Sequence, residues 1–160
     1  MPVSMVLRVP YFRQTKDYTC GPACVRMLMA LHGKRLSEKH IARSVKTNRH
    51  TGTRKKEIVR FAKRRGFACS VNTRATWRDV SREIQRRMPV MVTYNEPSSD
   101  EGHYALVTGK RGRAVLLHDP WNGKHFRIPL PSFKRRWLGF ETSSVEWGWM
   151  MTFIAPEERE

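Results

Sequence analysis

Cys20 stands just before Gly21-Pro22, at the head of CGPACVRMLMALH, a run that reads as a helix with apolar residues on nearly every side. A helix of that kind is usually buried. The unpaired N–H groups and the dipole at a helix N-terminus stabilise an anion. A thiol in that position loses its proton more easily, and the thiolate is the nucleophile. Gly21 leaves room for a backbone to approach. A free cysteine is also often no more than a small buried hydrophobe, so Cys20 alone leaves both readings open. His103 opens an expected strand, HYALVT, directly after a glycine-containing loop. Strand ends beside loops can face a cleft, although a lone histidine there is usually structural. Asp119 closes the next expected strand and precedes Pro120; Asp-Pro is also a common turn initiator. The turn Gly109–Gly112 makes these strands neighbours, so the start of the first lies beside the end of the second. A carboxylate there holds an imidazole in one tautomer and stabilises its protonated form. Gln14, six residues before Cys20, is the fourth candidate. Its amide and the Cys20 backbone N–H could hold the oxyanion formed when Cys20 attacks a carbonyl.

These residues need elements to position them. Val9 to Gln14 is extended in character, with Pro10 keeping it out of a helix. The first helix is expected over 20–32, with Pro22 in its first turn and Gly33 at its end. A second runs from Ser37 to about Val45. A third covers 54–65, capped by Thr53, with an inner stripe of Ile58, Phe61 and Ala62. Phe67 to Val71 is a short strand, and a fourth helix over 77–87 carries Trp77, Val80 and Ile84 on one face. Strands then follow at 89–94, 103–108, 113–118 and 124–128, a short helix at 131–138, and a closing strand at 147–154. Helices first and an antiparallel meander second define an α+β class. A helical half, about 15–88, packs on a sheet half, about 89–155, within one domain of 160 residues. The GKRG turn lacks the rest of a phosphate loop and reads as a hairpin.

Composition bounds the rest. A length of 160 residues supports one core of ordinary size. The apolar fraction of 39% is too high for a disordered basic tail. The longest apolar run, Trp147 to Ala155, is nine residues, too short to cross a bilayer. The N-terminus lacks the apolar core of a signal peptide. Three cysteines, an odd and low count, suit free thiols in a reducing, cytoplasmic setting. Cys20 and Cys24 share a helix face, but no second Cys pair or His pair completes a metal site, so no metal or cofactor is expected. The net charge is +17. From Lys34 to Arg65, thirteen Lys and Arg face only Glu38 and Glu57. This 34–65 face reads either as a dock for an anionic partner or as a solvated helix surface. Phe61 and Phe67 are thin support for nucleic-acid stacking. His32, His40 and His50 read as surface or cap residues. His118 and His125 flank the Asp119 turn; they read as ordinary packing, with a supporting role behind the site residues as the alternative.

The order Gln, Cys, His, Asp, with the nucleophile on a helix and its base on a sheet, is that of papain-like thiol catalysis. VPYFRQTKDYTCGPACVRMLMALHG resembles the active-site segment of the C39 family of papain-like cysteine peptidases. GHYALVTG and VLLHDPWNG resemble that family's His and Asp segments. The likeness spans roughly residues 9–128, with 34–87 matching only in helix pattern. It implies a papain-like cysteine proteinase fold and a peptide or protein substrate. It also implies roles: Cys20 the nucleophile, His103 the general base, Asp119 the residue that orients it, and Gln14 the oxyanion donor. Many family members are domains of ABC exporters that cut leader peptides after a double glycine. With no membrane segment and no ATPase here, a stand-alone thiol peptidase is expected. Two other readings use the same residues: an acyl or peptidyl transferase, and a catalytically silent module whose basic face docks nucleic acid or an acidic partner.

Overall fold

The structure, a computed structural model, describes residues 5–141 and 144–158. The helices come where the apolar periodicity places them: α1 Cys20–Leu31, α2 Glu38–Ser44, α3 Lys55–Arg64 and α4 Trp77–Gln85. Ser37 caps α2 by accepting from the His40 backbone N–H at 3.0 Å. At the start of α4, the Thr76 N–H donates to Asp79 Oδ2 at 2.8 Å. Thr53, expected to cap α3, does not. The N-cap position falls to Arg54. Thr53 is buried instead, with its hydroxyl 2.6 Å from that of Thr47. Tertiary packing claims it before the helix can.

Among the described residues there are nine strands: β1 Met5–Val6, β2 Ala68–Asn72, β3 Val90–Asn95, β4 Gly102–Arg111, β5 Ala114–Asp119, β6 Gly123–Pro129, β7 Leu138–Glu141, β8 Ser144–Trp147 and β9 Met150–Ile154. The main sheet is antiparallel in the order β2-β9-β3-β4-β5-β6, with β1 paired to β4. The expected α+β class and meander are present, but the two halves interlock. β2, from the helical half, pairs with β9 at the far end of the chain. α1 and α4 lie against β4, and the core between helices and sheet includes Met27, Leu28, Ile58, Phe61, Met91, Leu106 and Trp149.

Two expectations in the sheet half change. Gly109 is not in a turn; β4 runs through it to Arg111, and the reversal comes at Gly112-Arg113. The reason is β1. A Cβ on Gly109 would sit 2.1 Å from the Met5 carbonyl oxygen, so a glycine lets the extra strand approach. The expected closing strand also divides. Trp147 ends β8, Gly148 turns with φ +73°, and β9 begins at Met150. A side chain at 148 would meet the Ala75 carbonyl oxygen at 2.6 Å. β8 pairs with β7 as a separate hairpin that the sequence reading did not separate. The short helix α5 spans Leu130–Arg136. Among the described residues, no helix is long and apolar enough to cross a membrane.

Candidate active site

Cys20 is the first residue of α1 and is partly exposed. A tight turn delivers the chain to it: the Lys16 N–H donates to Thr19 Oγ1 at 3.0 Å, and the Thr19 hydroxyl donates back to the Lys16 carbonyl at 2.9 Å. Gly21 follows because Thr53 lies against it; a Cβ there would be 2.8 Å from the Thr53 Cβ. Thr53 is itself held by the Tyr104 hydroxyl, which donates to its carbonyl at 2.7 Å. The α3 approach, the α1 start and β4 are thus locked together at the thiol.

Gln14 reaches the same place along the extended segment. Its N–H donates to the Pro120 carbonyl at 3.0 Å. Upstream, the Tyr11 hydroxyl donates to the Asp119 carbonyl at 2.7 Å, and His118 Nε2 donates to the Val9 carbonyl at 2.8 Å. Burial holds the His118 ring neutral, its pKa pushed down to about 4. His118 therefore packs, as expected, and in doing so pins the strand that carries Gln14. The Gln14 amide nitrogen donates one hydrogen to the Lys16 carbonyl at 2.8 Å and keeps a second. Its amide oxygen is buried without a partner.

His103 is the second residue of β4 and Asp119 the last of β5. The hairpin brings them together: His103 Nε2 lies 2.8 Å from Asp119 Oδ1. Cys20 lies beside the same ring in the cavity wall, close enough to act on its pKa. Burial works against charge on this ring. Hydrogen bonds to Asp119 and Cys20, with their charges, outweigh it and raise the His103 pKa to about 10.

Asp119 is fully buried and saturated with donors. Oδ1 also accepts from the backbone N–H groups of Trp121 and Asn122 at 2.8 and 2.9 Å. Oδ2 accepts from the Tyr94 hydroxyl and, at 3.2 Å, from the Asn122 amide. Burial alone would raise its pKa; the His103 ring and these donors hold it below the usual carboxylate range. Tyr94 was not singled out by the sequence. It pairs with His103 in the β3–β4 register, so both side chains leave the same face. The available signal was a polar-tipped aromatic near the end of an expected strand. Asn122 carried a weaker one, its place in the DPWNG turn. Its amide also donates to Glu96 Oε1 at 3.1 Å. Burial opposes charge on Glu96, but donors from Ser98, Ser99 and Asn122 lower its pKa to about 2.

Cys20 and His103 sit where two cavities meet. One, of about 720 Å³, extends past Thr53, Lys55 and Thr93. The other, about 170 Å³, is bordered by Gln14, Glu96 and Trp121. A larger groove of about 860 Å³ lies elsewhere, between Trp77, Trp137 and Trp147, and has neither Cys nor His in its walls. Among the described residues, no group of three or more His, Cys, Asp and Glu could hold a metal. All four expected site residues thus gather at one end of the sheet.

A thiol at a helix N-terminus facing a carboxylate-bound histidine, on interlocked helices and antiparallel sheet, defines a papain-like fold of the C39 peptidase kind. The chain belongs to the Peptidase_C39 like family, which matches it over residues 6–145. Solved structures agree on the fold. The peptidase domain of Streptococcus ComA, a bifunctional ABC transporter involved in quorum sensing, superposes with a TM-score of 0.73 at 21% identity, covering 90% of this chain and 96% of that one. A double glycine motif protease from an AMS/PCAT transporter, in complex with its leader peptide, gives 0.70 at 17%, covering 96% and 99%. A Bacillus anthracis protein described as C39-like gives 0.73 at 13%, covering 96% and 98%. No curated protein matches the sequence.

Proposed function

We propose that the chain is a cysteine peptidase acting through Cys20, His103, Asp119 and Gln14. The observation that carries this reading is the His103 ring, bonded through Nε2 to buried Asp119 and sharing the walls of both cavities with Cys20. Asp119 makes the His103 ring a better proton acceptor, and the ring draws the proton from Cys20 to give the thiolate nucleophile. The thiolate attacks the carbonyl carbon of a peptide bond, forming the S–C bond and an oxyanion. The second Gln14 amide hydrogen and the Cys20 backbone N–H are the oxyanion donors. As the oxyanion collapses, the C–N bond breaks and His103 gives its proton to the leaving amine. Water, deprotonated by His103, then cleaves the thioester and restores the thiolate.

Asp119 orients His103 and stabilises its positive charge; Tyr94 and Asn122 position Asp119. The three unpaired cysteines suit a reducing, cytoplasmic setting. The neighbour bound to a leader peptide supports a peptide substrate, and the reading takes the chain as one catalytic domain able to act alone.

The test is alkylation by iodoacetamide at pH 6–7, with the adduct located by mass spectrometry and peptide cleavage followed in parallel. One adduct on Cys20 is expected, and Cys20→Ala removes both the adduct and the cleavage. Cys24 is fully buried with its pKa pushed well up, and burial raises Cys69 to about 11, so neither competes. Faster labelling of either one sinks the assignment. Product masses with and without an added amine separate hydrolysis from acyl transfer.

A further inference from the structure

The two cavities that meet at Cys20 and His103 differ in charge. In the larger, Arg54, Lys55 and Lys56 line the wall beyond the thiol. Lys55 is committed to Glu146 at 2.5 Å, whereas Arg54 and Lys56 are exposed at the start of α3, where the helix dipole adds to their field. The smaller has no Lys or Arg in its wall; Glu96 is ionised there, and Asp17 and Glu101 stand where the two cavities join. Thr93 also lines the larger cavity, its hydroxyl buried against Gly139, where a Cβ would sit 2.7 Å from Thr93 Oγ1.

We propose that this cleft reads charge on both sides of the bond it cuts. The substrate is a peptide whose segment in the larger cavity is acidic, facing Arg54 and Lys56. Its segment in the smaller cavity is basic or neutral, because Asp17, Glu96 and Glu101 repel acidic residues there. The field across the reactive pair thus sets both which peptides enter and which way round they lie. The inference rests on the peptidase reading for its substrate class, but its test does not need turnover.

The probes are two peptides with a common Gly-Gly centre, one with an acidic half followed by a basic half, the other with the halves exchanged. Binding to the Cys20→Ala protein is measured by fluorescence anisotropy. At low salt one peptide binds tighter by about tenfold, the scale of two or three exposed charge pairs. At about 0.5 M salt the preference falls to about twofold. Arg54→Glu with Lys56→Glu abolishes or reverses it. Acidic residues in the first turn of α3 favour the helix, so folding is retained; Arg54→Gln with Lys56→Gln gives the intermediate ratio. Equal binding of the two, no binding of either at low salt, or a preference that survives the double Glu change overturns the proposal. If Cys20→Ala shows the preference and the wild type cuts neither peptide, the catalytic reading fails and the charge reading stands. If the wild type cuts both equally and Cys20→Ala shows no preference, the reverse holds.

Discussion

Tyr94→Phe isolates one contact, because phenylalanine keeps the ring and loses only the hydroxyl. That hydroxyl donates to Asp119 Oδ2, whose other donor is the Asn122 amide at 3.2 Å. Asp119 is 0% exposed, so water does not replace the lost donor. The ring's packing against His103 and Phe133, at centroid distances of 6.1 and 6.3 Å, stays. A buried hydrogen bond to a charged group contributes about 1.5–3 kcal/mol. A loss of about 2 kcal/mol lowers Tm by about 4–8 °C in a chain of this length. The sign with pH follows from Asp119, whose folded pKa lies below its ordinary 3.8. Such a group adds stability above its unfolded pKa and loses it as pH falls through the folded one. Tyr94 is one of the donors that lower the folded value, so removing it moves that value back up. The wild-type advantage is therefore full at pH 7 and shrinks below about pH 4, where the variant's carboxyl takes up a proton first. Thermal unfolding of both proteins from pH 7 to pH 3 measures this. A difference under about 0.5 kcal/mol, or one unchanged across that range, refutes the claim that Tyr94 stabilises the carboxylate.

Gln14→Ala lowers kcat by roughly 10²–10³ with KM little changed, since the lost amide acts on the oxyanion; a change confined to KM counts against that role. His118 is neutral when folded, with a pKa of about 4 against an ordinary 6.5, so the unfolded chain protonates first as pH falls. About 2 kcal/mol of stability, discounted for solvent screening, is then lost between pH 6.5 and 4. Urea midpoints that stay level from pH 7 to 4.5 contradict this. Gly109→Ala forces a Cβ into the Met5 carbonyl and peels β1 from β4, at a cost of about 1–3 kcal/mol. Amide exchange at Leu7, whose N–H donates to the Thr108 carbonyl at 2.8 Å, speeds up in that variant, and unchanged protection rules the clash out.

Much of the fold was legible because its signals are local. The apolar faces of α1, α3 and α4, and glycines such as Gly33 and Gly66 at helix ends, are read from a window of one element. The nearness of the four candidate site residues was legible for a related reason: one hairpin suffices to bring His103 to Asp119, and only a short turn separates Gln14 from Cys20. Gly109 and Trp147 were misread because a distant segment decides them. Gly109 looks like a turn glycine until β1 crosses it, and Trp147 looks like a strand interior until Ala75 leaves no room for a side chain at Gly148.

The sequence alone determined which residue types are present, their order, and the periodicities that make them helix or strand. Only the tertiary structure decided partners. Tyr94 meets Asp119 because the β3–β4 register sets it opposite His103. Thr53 packs under Gly21 instead of capping α3. Arg54 and Lys56 line one side of the thiol while Glu96 borders the other. Register and packing are long-range quantities, fixed by closing many loops at once around a shared core. No local spacing carries them.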